Sequence, residues 1–231
     1  MKKAQFVDLI FTAIEAGESE KVIRLYEQYP KYKNSFSSSN SWSPVAYACR
    51  YGNIDLVKYF IRNNFNYESS PGFNLLHVCC LSGEVGMLRF LVEEVKMNPN
   101  SIPIDNINQS SPIKIACKYQ FFGLIEYLYD HGAYVIDNGI YHNVYPTRSI
   151  DKDGRKINEI FRNSKGEEIP PSAILKVQDY KDPKIRSFFR WLRYRNFLFT
   201  VHAVKRNKAM QKQKSLANVL VEYHDQILGY L

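Results

Sequence analysis

Long apolar runs are missing from this sequence. No window approaches the ~20 uninterrupted apolar residues that a membrane-spanning helix needs, and neither end carries an apolar leader with a cleavage site. The sequence therefore predicts an intracellular, soluble protein, cytoplasmic or nuclear. Cysteine is scarce, with 4 in 231 residues. Cys49, the adjacent Cys79 and Cys80, and Cys117 stand in a chain without secretory features, so reduced thiols are expected rather than two disulfides. Catalytic signatures are absent as well: there is no GxxxxGK[ST], no GxGxxG opening a helix, no GxSxG and no HExxH. The five histidines, His77, His131, His142, His202 and His224, are scattered, and none pairs with cysteine at zinc-ligand spacing. No catalytic residue, metal or cofactor is expected.

Acidic residues are missing from one stretch in particular. From Pro183 to Lys214 the chain carries Lys184, Arg186, Arg190, Arg193, Arg195, Lys205, Arg206, Lys208, Lys212 and Lys214 without one Asp or Glu. The whole chain has a net charge of +8. Eight less those ten cations leaves the remainder near −2. The cationic character belongs to one C-terminal stretch, which points to an acidic partner or surface for that stretch alone.

What is present is internal repetition. SPVAYACRYGNIDLVKYFI (Ser43 to Ile61), NLLHVCCLSGEVGMLRFLV (Asn74 to Val92) and SPIKIACKYQFFGLIEYLY (Ser111 to Tyr129) align without gaps. A more divergent copy, DLIFTAIEAGESEKVIRLY, runs from Asp8 to Tyr26. Starts at 8, 43, 74 and 111 give periods of 35, 31 and 37, which bracket a repeat of ~33 residues and exclude the shorter leucine-rich unit.

Each copy reads as helix, tight turn, helix. Ser43 and Ser111 are expected to cap helices whose first residues are Pro44 and Pro112, which have no amide hydrogen to leave unpaired. The small pairs Ala48/Cys49, Cys79/Cys80 and Ala116/Cys117 fall where helices must approach closely. Gly17, Gly52 and Gly83 supply the turn, and Leu56, Val57, Phe60, Ile61 and Leu88, Phe90, Leu91, Val92 give the second helices an apolar face. One helix pair cannot bury that face alone, whereas stacked pairs can.

This pattern resembles the ankyrin repeat: Thr-Pro-Leu-His, paired alanines, a glycine, then an aliphatic second helix. SPVAYACRYGNIDLVKYFI and LLHVCC carry the resemblance, which spans residues 4–136 and is strongest from Ser43 to Val92. The departures are Gln120 at the turn-glycine position, an insertion after Val95, and His77 as the one retained histidine. The resemblance implies a protein-binding role, with partners held by hairpin tips and the exposed side of the first helices. Aligned on this sequence, those positions are Arg50 and Tyr51, Leu81 and Ser82, Lys118 and Tyr119, with Trp42, Phe73 and Ser110 at the tips. Large aromatics and cations of this kind are enriched at interface hot spots. The same tyrosines also fit a structural role over neighbouring helices, and Trp42 fits closure of the first hairpin.

Beyond Tyr134 the repeat fades into a connector, 137–180, rich in Asn, Asp, Gly and Pro, with hairpin turns expected at Asp153-Gly154 and Lys165-Gly166. A basic helical segment, 181–231, follows. In RSFFRWLRYRNFLF, Ile185, Phe188, Phe189, Leu192 and Phe199 keep helical spacing while Arg186, Arg190 and Arg193 share another stripe. A last amphipathic helix is expected over Leu216, Val219, Leu220, Tyr223 and Ile227. The basic, aromatic helix admits three readings: a packing helix edged by arginines, a dock for an acidic protein in a larger assembly, or a contact with nucleic acid or an anionic membrane.

The expected fold is thus all-α apart from short hairpins: about four stacked helix pairs in 1–136, an irregular connector with short hairpins, and a basic helical extension. The leading functional expectation is a non-enzymatic adaptor or scaffold. The alternative is a structural subunit of a large viral or cytoskeletal assembly, anchored through Arg186, Arg190, Arg193, Arg195, Lys205 and Arg206.

Overall fold

A computed structural model of the chain describes residues 1–33, 42–65, 73–102, 110–150 and 156–206. They divide into two compact units, Met1–Asp179 and Tyr180–Leu231.

The first unit opens with four helix pairs: α1 (Lys3–Glu15) and α2 (Ser19–Gln28), α3 (Pro44–Arg50) and α4 (Ile54–Arg62), α5 (Leu75–Ser82) and α6 (Val85–Glu93), α7 (Pro112–Lys118) and α8 (Phe122–Asp130). Each first helix packs on its own second helix, and α1 packs on α3, α3 on α5, and α5 on α7. Helices α4, α6 and α8 follow the same order. The pairs are therefore piled in series, as four copies with unburied apolar faces require.

The small residues account for the close approach. Ala46, Ala48, Cys49, Cys79, Cys80 and Ala116 are fully buried, and the Cys49 and Cys79 sulfurs from neighbouring repeats lie 3.2 Å apart. Leu56, Val57, Phe60, Leu88, Leu91, Leu124 and Leu128 bury the opposing faces of the second helices. Tyr26 ties the first repeat to the second, meeting Phe65 edge-on at 4.8 Å and Phe60 at 5.7 Å.

The turns repeat the same geometry. Gly17, Gly52 and Gly83 have φ of 72°, 69° and 85°, the left-handed region that penalises a Cβ. Gln120 holds the equivalent place at φ 57°, so the fourth turn keeps its shape without glycine. Close approach adds a second constraint: a Cβ on Gly83 would lie 3.1 Å from the Phe121 ring of the next repeat.

Three local expectations change. Ser43 caps α3 by accepting the Ala46 amide at 3.2 Å, but Ser111 does not cap α7; its hydroxyl is buried with no hydrogen-bond partner among the described residues. Helix α1 starts at Lys3, five residues ahead of the aligned copy at Asp8.

The third change is that the stack is closed by β-structure. Strands β1 (Val135–Asp137) and β2 (Ile140–His142) form an antiparallel hairpin across Asn138-Gly139, both at positive φ. That is the two-residue turn an Asn-Gly pair favours. Strands β3 (Tyr145–Ile150) and β4 (Lys156–Arg162) pair antiparallel, and β5 (Leu175–Lys176) runs parallel to β1, giving the order β2-β1-β5. Ile136, Val144, Phe161, Ile169, Ala173 and Ile174 form a small core beneath the strands. Polar contacts join it to the last repeats: Asn100 donates to the Gly132 carbonyl at 2.6 Å and accepts the Tyr134 amide at 3.0 Å, while the Lys114 ammonium reaches the Ser172 carbonyl at 2.5 Å. The chain turns again at Asn163–Gly166, where the Gly166 amide donates to the Asn163 carbonyl at 2.9 Å. The Asp153-Gly154 turn lies outside the described residues.

In the second unit α9 (Pro183–Arg206) is one 24-residue helix, opened by the Asp182 carboxylate accepting the Lys184 amide at 2.8 Å. Ile185, Phe189 and Leu192 are buried. Trp191 and Phe199 are exposed, with Phe188 stacked on Trp191 at 5.3 Å and the Arg195 guanidinium over that ring at 5.4 Å. Lys208, Lys212, Lys214 and the amphipathic segment from Leu216 to Ile227 lie outside the described residues. No described helix is long and apolar enough to cross a membrane.

Candidate partner-binding face

The C-terminal ends of α1, α3, α5 and α7 and the turns beyond them fall in one series, because the first helices stack in order. The alignment column just before the turns reads Glu15, Arg50, Leu81, Lys118, and the next reads Ala16, Tyr51, Ser82, Tyr119.

These positions differ in what they leave for a partner. Tyr51 and Tyr119 are 44% and 46% exposed, among the most open large apolar residues described. Arg50 is exposed, with its guanidinium 5.2 Å above the Trp42 ring. Trp42 itself is nearly buried, 6.4 Å from Tyr47 at an edge-on angle. Lys118 is exposed and lies over Tyr119 at 5.7 Å, and Tyr119 stacks on Phe121, which rests against Gly83. Leu81 is half-buried. The Ser82 hydroxyl turns back into its own helix, donating to the Val78 carbonyl at 3.0 Å. Phe73 is half-buried and meets His77 edge-on at 5.8 Å.

The expected residues thus fall into two clusters, Trp42 with Arg50 and Tyr51 at the second repeat, and Lys118 with Tyr119 at the fourth. Leu81 and Ser82 lie between them with little polar surface on offer. Two members of the first cluster were missed from the sequence. Tyr47 meets Tyr51 at 5.3 Å and Phe11 at 4.8 Å. Glu15 accepts hydrogen bonds from the hydroxyls of both Tyr47 and Tyr51, the latter at 3.0 Å. Glu15 stands in the same column as Arg50 and Lys118, so the alignment held the signal in its most divergent copy.

The second helices present a contrast. There several charges are met from within the chain: Lys58 pairs with Glu94 at 3.2 Å, Tyr127 donates to Glu93 at 3.1 Å, and Arg89 lies over the Tyr127 ring at 5.7 Å. Burial and the Glu93 contact push the Tyr127 hydroxyl up to about 12. Shallow depressions of about 360 and 350 Å³ separate successive second helices.

Titratable groups inside the stack serve it rather than a reaction. Burial pushes the Cys79, Cys80 and Cys117 thiols well up, which removes the thiolate a nucleophile needs. All four cysteines are free and buried. His77 is fully buried, and desolvation lowers it to about 4, so its ring is neutral. Its Nε2–H donates to the Ser110 carbonyl at 2.8 Å, across the interval between the third and fourth repeats. Among the described residues no three His, Cys, Asp or Glu side chains are placed to hold a metal ion.

The family model described as ankyrin repeats, three copies, matches residues 10–102. Residues 10–102 are ankyrin repeats. The matched span holds the first three helix pairs, apart from the first residues of α1, and α7–α8 pack on α5 and α6 as a fourth helix pair. No curated protein matches the chain. Among solved structures, the crystal structure of the yeast ribosomal protein Rps3 in complex with its chaperone Yar1 contains a chain 18% identical to this one. The alignment covers 55% of this chain and 92% of that one, with a TM-score of 0.45. Ankyrin repeats are protein-interaction modules.

Proposed function

We propose that this chain is a non-enzymatic adaptor that grips a protein partner along the turn-side edge of its first helices. Trp42, Arg50, Tyr51, Phe73, Leu81, Ser82, Lys118 and Tyr119 make up that surface, with Tyr51 and Tyr119 as its anchors. The observation that carries the reading is that this edge leaves two tyrosines nearly half exposed, Tyr51 next to Arg50 and Tyr119 beneath the Lys118 ammonium. Exposed Tyr and Arg on a preformed surface bury large area at small entropic cost. Four buried free thiols fit an intracellular setting.

Full-length wild type and the Tyr51→Ala/Tyr119→Ala variant, tagged and incubated with extract of the native source, test this. The wild type retains a partner and the variant loses it while keeping the same helical circular dichroism. Equal retention by both overturns the adaptor reading.

A second contact is supported by α9, where exposed Trp191 and Phe199 sit among cations and no acidic residue. On this reading Arg186, Arg190, Arg193 and Arg195, with Lys205 and Arg206 in its last turn, fix the protein to an acidic protein of a larger assembly. Binding to phosphate would fall steeply and log-linearly with salt, whereas docking on an acidic protein in which the exposed Trp191 and Phe199 rings are also buried falls less steeply.

A further inference from the structure

We propose that the end of α1 and the outer side of α3 form a receptor for one lysine side chain of the partner, with the Glu15 carboxylate as counter-ion and Tyr47 and Tyr51 as walls. The proposal rests on the adaptor reading and names the chemistry of its partner.

Three observations carry it. First, Glu15 is the last residue of α1, where the helix presents unpaired carbonyls and a partial negative charge, and the last turn of α1 holds no basic residue. A carboxylate there adds to the dipole instead of opposing it, so the site concentrates negative potential in a repeat unit that is otherwise close to neutral. Second, no cation among the described residues pairs with that charge. Arg50, the nearest candidate in the same column, is held over Trp42, and no described ion pair includes Glu15. Third, the carboxylate is oriented but half used. Tyr47 and Tyr51 both donate to Oε1, which leaves Oε2 without a hydrogen bond among the described residues. Glu15 and Tyr51 are exposed and Tyr47 is half-buried, so the carboxylate stands at the surface beside two aromatic rings 5.3 Å apart.

The geometry selects the cation. Arginine gains most when its planar fork meets both oxygens of a carboxylate, and here Oε1 is already taken by two hydroxyls. A compact ammonium needs one open oxygen and is also drawn to the faces of flanking aromatic rings. Burial and the Glu15 hydrogen bond push the Tyr47 hydroxyl up, so it stays a donor through the physiological range.

Nuclear magnetic resonance titration of the full chain supplies the test. The probes are the blocked peptide Gly-Ser-Lys-Ser-Gly and the same peptide with acetyl-lysine. The lysine peptide is expected to shift the Glu15 amide and the Tyr47 and Tyr51 ring signals, with saturation in the millimolar range. Acetyl-lysine, or Glu15→Gln with the lysine peptide, is expected to weaken binding about tenfold, the scale of one charge-assisted contact. Equal binding of the two peptides, an unchanged affinity in Glu15→Gln, or no shift at Glu15 overturns the proposal. Tyr119→Ala, which lies two repeats away, separates the two readings. Partner loss with Tyr119→Ala but not with Glu15→Gln removes only the lysine assignment, and retention by both removes the adaptor reading itself.

Discussion

Acidification drives a proton onto His77, and the stack has little room for the charge. The folded ring titrates near 4 against 6.5 for an ordinary histidine, because it is fully buried between the third and fourth repeats. A lowered folded pKa means that the unfolded chain binds the proton more readily, so stability is held above about pH 6.5, falls as pH drops toward 4, and levels off below. Linkage gives a loss of about 1 kcal/mol at about pH 5.5 and about 3 kcal/mol at about pH 4 relative to neutral pH. The larger figure is a ceiling. Nδ1 lies 2.6 Å from the Asn74 Oδ1, which would accept the added proton and offset part of the desolvation. Urea unfolding followed by far-ultraviolet circular dichroism, on wild type and His77→Gln at neutral pH and at about pH 4, isolates the effect, since carboxylates common to both chains cancel in the difference. The stability advantage of wild type over His77→Gln is expected to shrink on acidification, by up to about 3 kcal/mol. An advantage independent of pH would refute the neutral, buried histidine.

The remaining predictions separate residues that look alike in the sequence. Ser43→Ala is expected to lower stability by about 1 kcal/mol through loss of the α3 cap, while Ser111→Ala, which removes an unpartnered buried hydroxyl, is expected to be neutral or stabilising by the same urea measurement. Gln120→Gly relieves a left-handed side chain and is expected to raise the unfolding free energy by about 0.5–1 kcal/mol after the entropic cost of glycine is counted, seen as a higher urea midpoint. Leu88→Ala, at a fully buried position in the middle of the stack, is expected to cost about 2–5 kcal/mol. Ellman's reagent is expected to leave the thiols of Cys49, Cys79, Cys80 and Cys117 unmodified in the native protein and to react with all four in guanidinium; fast native reaction of any of them contradicts their burial.

The helix pairs were legible because their determinants are local. Small residue pairs, a glycine and an aliphatic run recur at one spacing, and the spacing alone sets which face each helix must hide. Gln120 shows the limit of residue identity: the left-handed turn survives there because the helices on either side and the Phe121 contact with Gly83 fix the backbone. Ser43 and Ser111 occupy equivalent places before proline, yet only Ser43 meets its amide, a difference of side-chain placement that no pattern encodes. The Asn138-Gly139 hairpin was legible from its dipeptide but was passed over within a polar connector. The parallel β1–β5 pairing was not legible, since it joins Val135 to Leu175 across forty residues with no α-helix among the described residues between them. At the partner-binding edge, alignment found the positions of Tyr51 and Tyr119 but not their exposure. It also could not show that Trp42 is covered, or that two tyrosines converge on Glu15.

The contact between Gly83 and Phe121 is the most direct probe of serial stacking, because it joins the turn of one repeat to the turn of the next and depends on nothing else. With the ring 3.1 Å from where a Cβ of Gly83 would lie, a nuclear Overhauser effect is expected between the Gly83 α protons and the Phe121 ring protons, accompanied by a large ring-current shift of those α protons. Gly83 α protons at ordinary shifts with no cross-peak to Phe121 would contradict the stack and the partner-binding face built on it.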